Sequence, residues 1–173
     1  MSILAKVIEA VTPSSNDGEV DAIDLLKQDH DEVDTLFDEY ERLTDDDAAE
    51  HGDKRALSTE ICGMLAVHAM VEEELFYPAA RKAGVESALL DEAEVEHGSV
   101  KQLIADIGAS TPEHSLYDAR VKVLGEYVKH HVKEEEGELF SACRKAGMET
   151  KVLGATMLAR KDELMRKLDG KKR

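Results

Sequence analysis

The sequence predicts an all-α protein, an up-down-up-down four-helix bundle with short helices flanking it at both ends. Three observations lead there. The 173 residues hold only three prolines, at positions 13, 78 and 112, amid many Ala, Leu, Glu, Lys and Asp, so long helices meet few breakers. Apolar residues recur at helical spacing in four successive stretches joined by short polar segments, which makes neighbouring helices antiparallel. The two halves of the chain also repeat one another, as two helical hairpins that bury their apolar faces together.

The elements follow in order. Residues 1–20 are expected to form a short amphipathic helix (SILAKVIEAV) and a polar linker (TPSSNDGEV). That stretch has one Lys and no evident cleavage site, so it does not read as a signal peptide. The bundle is expected over 21–147. Ile23, Leu26, Val33 and Phe37 define the face of its first helix, with His30 in the gap. Ile61, Leu65, Leu75 and Ala79 define the second, with His68 and Glu72 in the gaps. Leu90, Ala93, Val100, Ile104 and Ile107 define the third around His97, and Leu124, Val128, Leu139 and Ala142 the fourth around His131 and Glu135. Gly84 and Gly147 are expected to end the second and fourth helices. Residues 148–173 are expected to form a capping helix and tail.

Every bundle helix thus carries a histidine where the core pattern requires an apolar side chain, and two add a glutamate one turn later. A buried carboxylate without compensation costs several kcal/mol. The repeat sharpens the point. Asp29-His30-x-x-Val33 matches Glu96-His97-x-x-Val100, and His68-x-x-x-Glu72-Glu73 matches His131-x-x-x-Glu135-Glu136. Each hairpin supplies two His and one Glu, and two equivalent sets across a pseudo-two-fold axis imply two cations. Imidazole and carboxylate together suit iron, manganese or zinc. Asp29, Glu73, Glu96 and Glu136 are close enough in sequence to hold the outer ring nitrogens, but neighbours on a helix point in different directions, which counts against that role. Lys101 is expected to snorkel to the surface and Tyr127 to pack in the core with its hydroxyl at the edge. Phe37, Phe76 and Phe140 are expected in the core, and His51, His114 and His130 in solvent. A ferritin-like centre would need two Glu-x-x-His motifs at core positions, and only Glu94 with His97 qualifies.

The pattern His … His-x-x-x-Glu … His … His-x-x-x-Glu, with HAMVEEELFYP and HHVKEEEGELF, resembles the hemerythrin-like proteins, or HHE cation-binding domains. The resemblance implies a non-haem di-iron site with an oxo or hydroxo bridge. On it, His30, His68, His97 and His131 are terminal ligands, and Glu72 and Glu135 are bridges. Two positions depart from the oxygen-carrying members: Lys101 stands where they have a further His, and Glu136, rather than Glu135, would keep their five-residue spacing to the last bridge. The implied function is binding or redox processing of dioxygen, peroxide or nitric oxide. The alternative is iron or oxygen sensing, or iron supply, without turnover. The sequence leaves open whether the protein is an enzyme.

Charge and composition narrow the partners. Acids outnumber bases by 38 to 22, giving a net charge of −16, which opposes binding to nucleic acid or anionic membrane. No apolar run approaches the ~20 residues of a membrane span. Cys62 and Cys143 are too few for a disulfide scaffold, lack CxxC spacing and read as reduced thiols in a cytoplasmic protein. No nucleotide-binding Gly loop is evident, so electrons would come from an external donor.

Overall fold

The computed structural model describes residues 20–46 and 50–171. The helix and linker expected over 1–20 fall, apart from Val20, outside the described residues. Helix α1 (Ala22–Asp45) starts where the Asp21 carboxylate accepts from the Ile23 amide at 2.9 Å, an N-cap that satisfies a free donor of the first turn. Helix α2 (His51–Val71) passes through a π-helical turn (Glu72–Phe76) into α3 (Tyr77–Ala83). Gly84 ends α3 at φ 88°, a left-handed conformation that glycine adopts without a Cβ clash. Helix α4 (Ser87–Gly108) returns. Helix α5 (Tyr117–Glu134) runs through a second π-turn (Glu135–Leu139) into α6 (Phe140–Lys145). Going round the bundle, α1 packs on α2, α2 on α4, α4 on α5 and α5 back on α1.

The last helix, α7 (Thr150–Lys171), forms where the sequence reads a capping helix, but it is longer than a short flanking element. It has 22 residues, as many as α4, and lies along α1 and α2 rather than over one end. Thr150 donates to the Asp21 carboxylate at 2.6 Å, tying its start to the start of α1. Gly154 permits the close approach, because a Cβ there would sit 1.9 Å from the Val20 carbonyl oxygen. Met157 and Leu164 then complete an apolar cluster with Ile23, Leu26, Val67, Val71, Phe76 and Phe140.

A second cluster, built on Val33, Ile61, Leu65, Val100, Leu124 and Val128, fills the other end of the bundle. The predicted polar positions lie between these two dry regions. None of the described helices is long and apolar enough to cross a membrane.

Candidate metal centre

The six predicted residues converge at mid-bundle. His30 comes from α1, His68 from the end of α2, His97 from α4 and His131 from the end of α5, while Glu72 and Glu135 open the two π-turns. All six are at most 8 % exposed. The imidazoles form two pairs, with Nε2 atoms 3.3 Å apart for His30 and His68 and 3.1 Å apart for His97 and His131. Glu72 Oε2 lies 3.2 Å from both His68 and His97 Nε2, and Glu135 Oε2 lies 3.5 Å from both His30 and His131 Nε2. Each carboxylate therefore reaches one imidazole of each pair. Glu136 does not enter the centre.

Both oxygens of Glu72 and Oε2 of Glu135 are buried without a hydrogen bond, although imidazole nitrogens lie within 3.5 Å. The contacts are close but lack hydrogen-bond geometry. Donor atoms that share a first-row cation at about 2.0–2.2 Å lie roughly 3–3.5 Å from one another, which is this spacing. The donor set thus fits cations held between the atoms.

A ring of outer carboxylates fixes the imidazoles. Asp29 on α1 meets Nδ1 of His68 on α2 at 3.3 Å, and Glu73 meets Nδ1 of His97 on α4 at 2.9 Å. Glu96 on α4 meets Nδ1 of His131 on α5 at 2.7 Å, and Glu136 meets Nδ1 of His30 back on α1 at 2.8 Å. With Nδ1–H donated outward, each Nε2 presents its lone pair to the centre. This corrects the expectation that these four acids face elsewhere. A residue one position away is rotated by about 100° on its own helix, and that rotation carries it to the flank of the next helix, where the neighbour's Nδ1 emerges.

Burial alone would push the His68 imidazole down, but Glu72 and Asp29 reverse this and hold it well above its ordinary value. His97 is raised against the same desolvation by Glu72 and Glu73. Burial favours the neutral form of Glu72, yet His68 and His97 keep it well below the usual carboxylate range. Without metal, the raised values of His68 and His97 favour protons there, which place positive charge beside Glu72.

Sequence reasoning missed Tyr77. Its hydroxyl donates to Glu135 Oε1 at 2.9 Å and lies 3.3 Å from His97 Nε2, with the residue only 1 % exposed. Desolvation and the Glu72 and Glu135 carboxylates push the phenol far up, so it stays a neutral donor. Tyr77→Phe would leave Oε1 of Glu135 without its partner. Urea unfolding of the metal-free variant is expected to show a loss of about 1–3 kcal/mol.

Other positions differ in detail. Tyr127 is 48 % exposed and does not pack in the core. Lys101 does extend to the surface, where its ammonium meets both Glu73 oxygens at 2.6 Å. His130 is exposed as expected, but it faces Glu96 and Glu134.

A bundle whose four helices converge imidazoles and carboxylates on one buried point defines a class of cation-binding helical proteins, and the sequence agrees. Residues 21–143 match the hemerythrin HHE cation binding domain, and the chain belongs to that family. A solved structure similar to it is a hemerythrin HHE cation binding domain-containing protein from Mycobacterium kansasii, a homolog of Rv2633c. It has a TM-score of 0.71 and 24% identity, and the match covers 89% of this chain and 95% of that one. A relative from Nostoc sp. (strain PCC 7120) is named a DNA nickase. It is 29% identical over 166 residues, which is 93% of this chain and 45% of that protein, so the chain spans less than half of that relative.

Proposed function

We propose that the chain is a non-haem di-iron protein in which His30 and His68 hold one ion, His97 and His131 hold the other, and Glu72 and Glu135 bridge them. The pair would bind or redox-process a small oxidant: dioxygen, peroxide or nitric oxide. The observation that carries this reading is that each buried carboxylate touches one imidazole of each pair. The donor types suit iron, manganese and zinc alike, and the choice of iron rests on the family likeness.

When bound, two irons supply one-electron steps and Lewis-acidic positions for the oxidant. The chain's own residues do the rest. The outer carboxylates hold each ring in one tautomer and orientation. Tyr77 keeps a proton beside Glu135 and His97. The apolar clusters on either side exclude bulk water. Between α1 and α5 a pocket of about 260 Å³ runs from the surface to His30, past Val33, Phe37, Val128 and Lys133, wide enough for a small oxidant. Electrons would come from an external donor in the cytoplasm.

The first test is metal content by mass spectrometry together with the absorption spectrum. Two irons per chain and near-ultraviolet oxo-to-iron bands are expected, and peroxide consumption should be lost in Glu72→Ala. A chain that retains no metal after purification with iron would end the reading.

One contact favours sensing as a second reading. Lys161 of α7 forms an ion pair with Asp29, the carboxylate that holds His68, so metal occupancy and α7 docking share a residue. Iron removal should then speed amide exchange in α7 while peroxide is left untouched. The Nostoc relative's name supplies no reading of this centre: the chain spans under half of that protein, and a net charge of −16 disfavours a polyanionic partner.

A further inference from the structure

The two halves of the bundle match closely around the centre and differ on one flank. Asp29 and Glu96 occupy corresponding places, as do Val67 and His130, and Val71 and Glu134. In the first half, Val67 and Val71 are 2 % and 3 % exposed in the cluster completed by α7, and Lys161 of that helix supplies the cation for Asp29. In the second half α7 is not present. Glu73 pairs with Lys101, and Glu136 lies 3.7 Å from Lys27. Of the four outer carboxylates, only Glu96 meets no lysine among the described residues. It faces metal-ligand chemistry instead: His130 Nε2 lies 3.5 Å from Glu96 Oε1 and 3.2 Å from Glu134 Oε1. One donor atom from each of the three lies within 4.8 Å of the others.

A crevice of about 70 Å³ between α4 and the second π-turn begins here. Its walls carry Glu92, Glu96, Glu134 and Glu138, and Glu135 lines it from the buried side. Neither Glu92 nor Glu138 makes an ion pair among the described residues. Glu135 is 2 % exposed, and its Oε2 has no hydrogen bond. The carboxylates of Glu92, Glu96, Glu134 and Glu138, leading to a buried carboxylate with one oxygen free of hydrogen bonds, form a negative path that lowers the energy of a cation at every step. The volume admits a cation that keeps part of its water.

We propose that Glu96, His130 and Glu134 form a surface site for a divalent first-row cation, from which the carboxylate-lined crevice passes the ion to Glu135. One imidazole and two carboxylates suit Mn(II), Fe(II) or Zn(II), whereas Ca(II) and Mg(II) prefer oxygen alone. The ion takes at Glu96 the place that the Lys161 ammonium takes at Asp29. The surface site stands on its own geometry, and the delivery step rests on the core centre proposed above.

The test uses the full metal-free chain titrated with Mn(II), followed by calorimetry and by the electron paramagnetic resonance of free Mn(II). Two tight equivalents and one weaker equivalent are expected. His130→Ala with Glu134→Gln, both solvent-facing positions, should lose the weaker equivalent and keep the tight two. Filling of the core by Co(II), read from its visible bands, should slow roughly tenfold at sub-stoichiometric metal. Glu92→Gln with Glu138→Gln should keep all three equivalents and slow filling as well. Glu72→Gln should disturb the tight equivalents and spare the weak one, which separates failure of the core reading from failure of the surface site. A weak equivalent that is missing in the parent chain, or unchanged in the first double variant, would overturn the site. Core filling at the parent rate in both double variants would overturn the delivery.

Discussion

Stripping the centre with a chelator is expected to lower the unfolding midpoint by roughly 10 °C. At metal a thousandfold above its dissociation constant, binding contributes about 4 kcal/mol to the folded state, and each kcal/mol moves the midpoint of a chain this size by about 2–4 °C. Scanning calorimetry with and without iron measures the shift. An unchanged midpoint would remove the cations from the account of how the buried carboxylates are tolerated.

The same experiment across pH has a sharper signature, because the two forms should respond with opposite sign. In the metal-free chain, His68 and His97 have raised values in the fold. Their contribution is complete below the unfolded imidazole value of about 6.5 and is lost as pH rises through the folded values. Glu72 is lowered, so its contribution is present above about 4.5 and disappears only in stronger acid. Metal-free stability should therefore decline on the alkaline side, by up to about 1.4 kcal/mol per pH unit for each proton released. The loaded chain requires neutral imidazoles, so protons compete with metal and its stability should decline on the acid side. Crossing slopes identify protons and metal as alternative occupants of one place.

A 3.6-residue period was enough to locate His30, His68, Glu72, His97, His131 and Glu135, because a polar residue on an apolar stripe is visible in sequence. The period failed just past the two glutamates. It predicts Leu75, Ala79, Leu139 and Ala142 on the core face; Leu139 is buried, but Leu75, Ala79 and Ala142 are only partly so, and Phe76, Tyr77, Ala80 and Cys143 take the buried places beside them. A π-turn follows each glutamate, and its wider spacing moves the buried face on by one residue. That shift brings Tyr77 to Glu135, and nothing in residue type announces it. The outer carboxylates were hidden for another reason. Their partners lie on the next helix, at separations such as the 106 residues between His30 and Glu136, so no local pattern pairs them. The tight packing of α7 depended on Gly154, whose lack of a side chain gives no signal until Val20 is seen against it.

Glu72→Gln is expected to abolish tight metal binding and, in the metal-free chain at alkaline pH, to raise stability by about 1–3 kcal/mol. The residue is fully buried, and neither of its oxygens has a hydrogen bond. Its charge is tolerated without metal only while His68 and His97 carry protons. Once they lose them, an uncompensated carboxylate remains in a dry interior, at a cost of several kcal/mol. An amide of the same shape removes that charge and offers an N–H to the Nε2 atoms of His68 and His97, each 3.2 Å from Oε2. It leaves the Asp29 and Glu73 bonds in place to hold those rings. The opposite signs are diagnostic. A glutamate serving the fold would destabilise the protein on conversion to glutamine, whereas one kept to hold cations should release stability once its charge is gone. Urea unfolding of the metal-free parent and variant at matched alkaline pH, beside metal content after equal loading, measures both. A variant less stable than its parent at that pH would place Glu72 in the fold's own support and remove the strongest physical reason for putting metal between these helices.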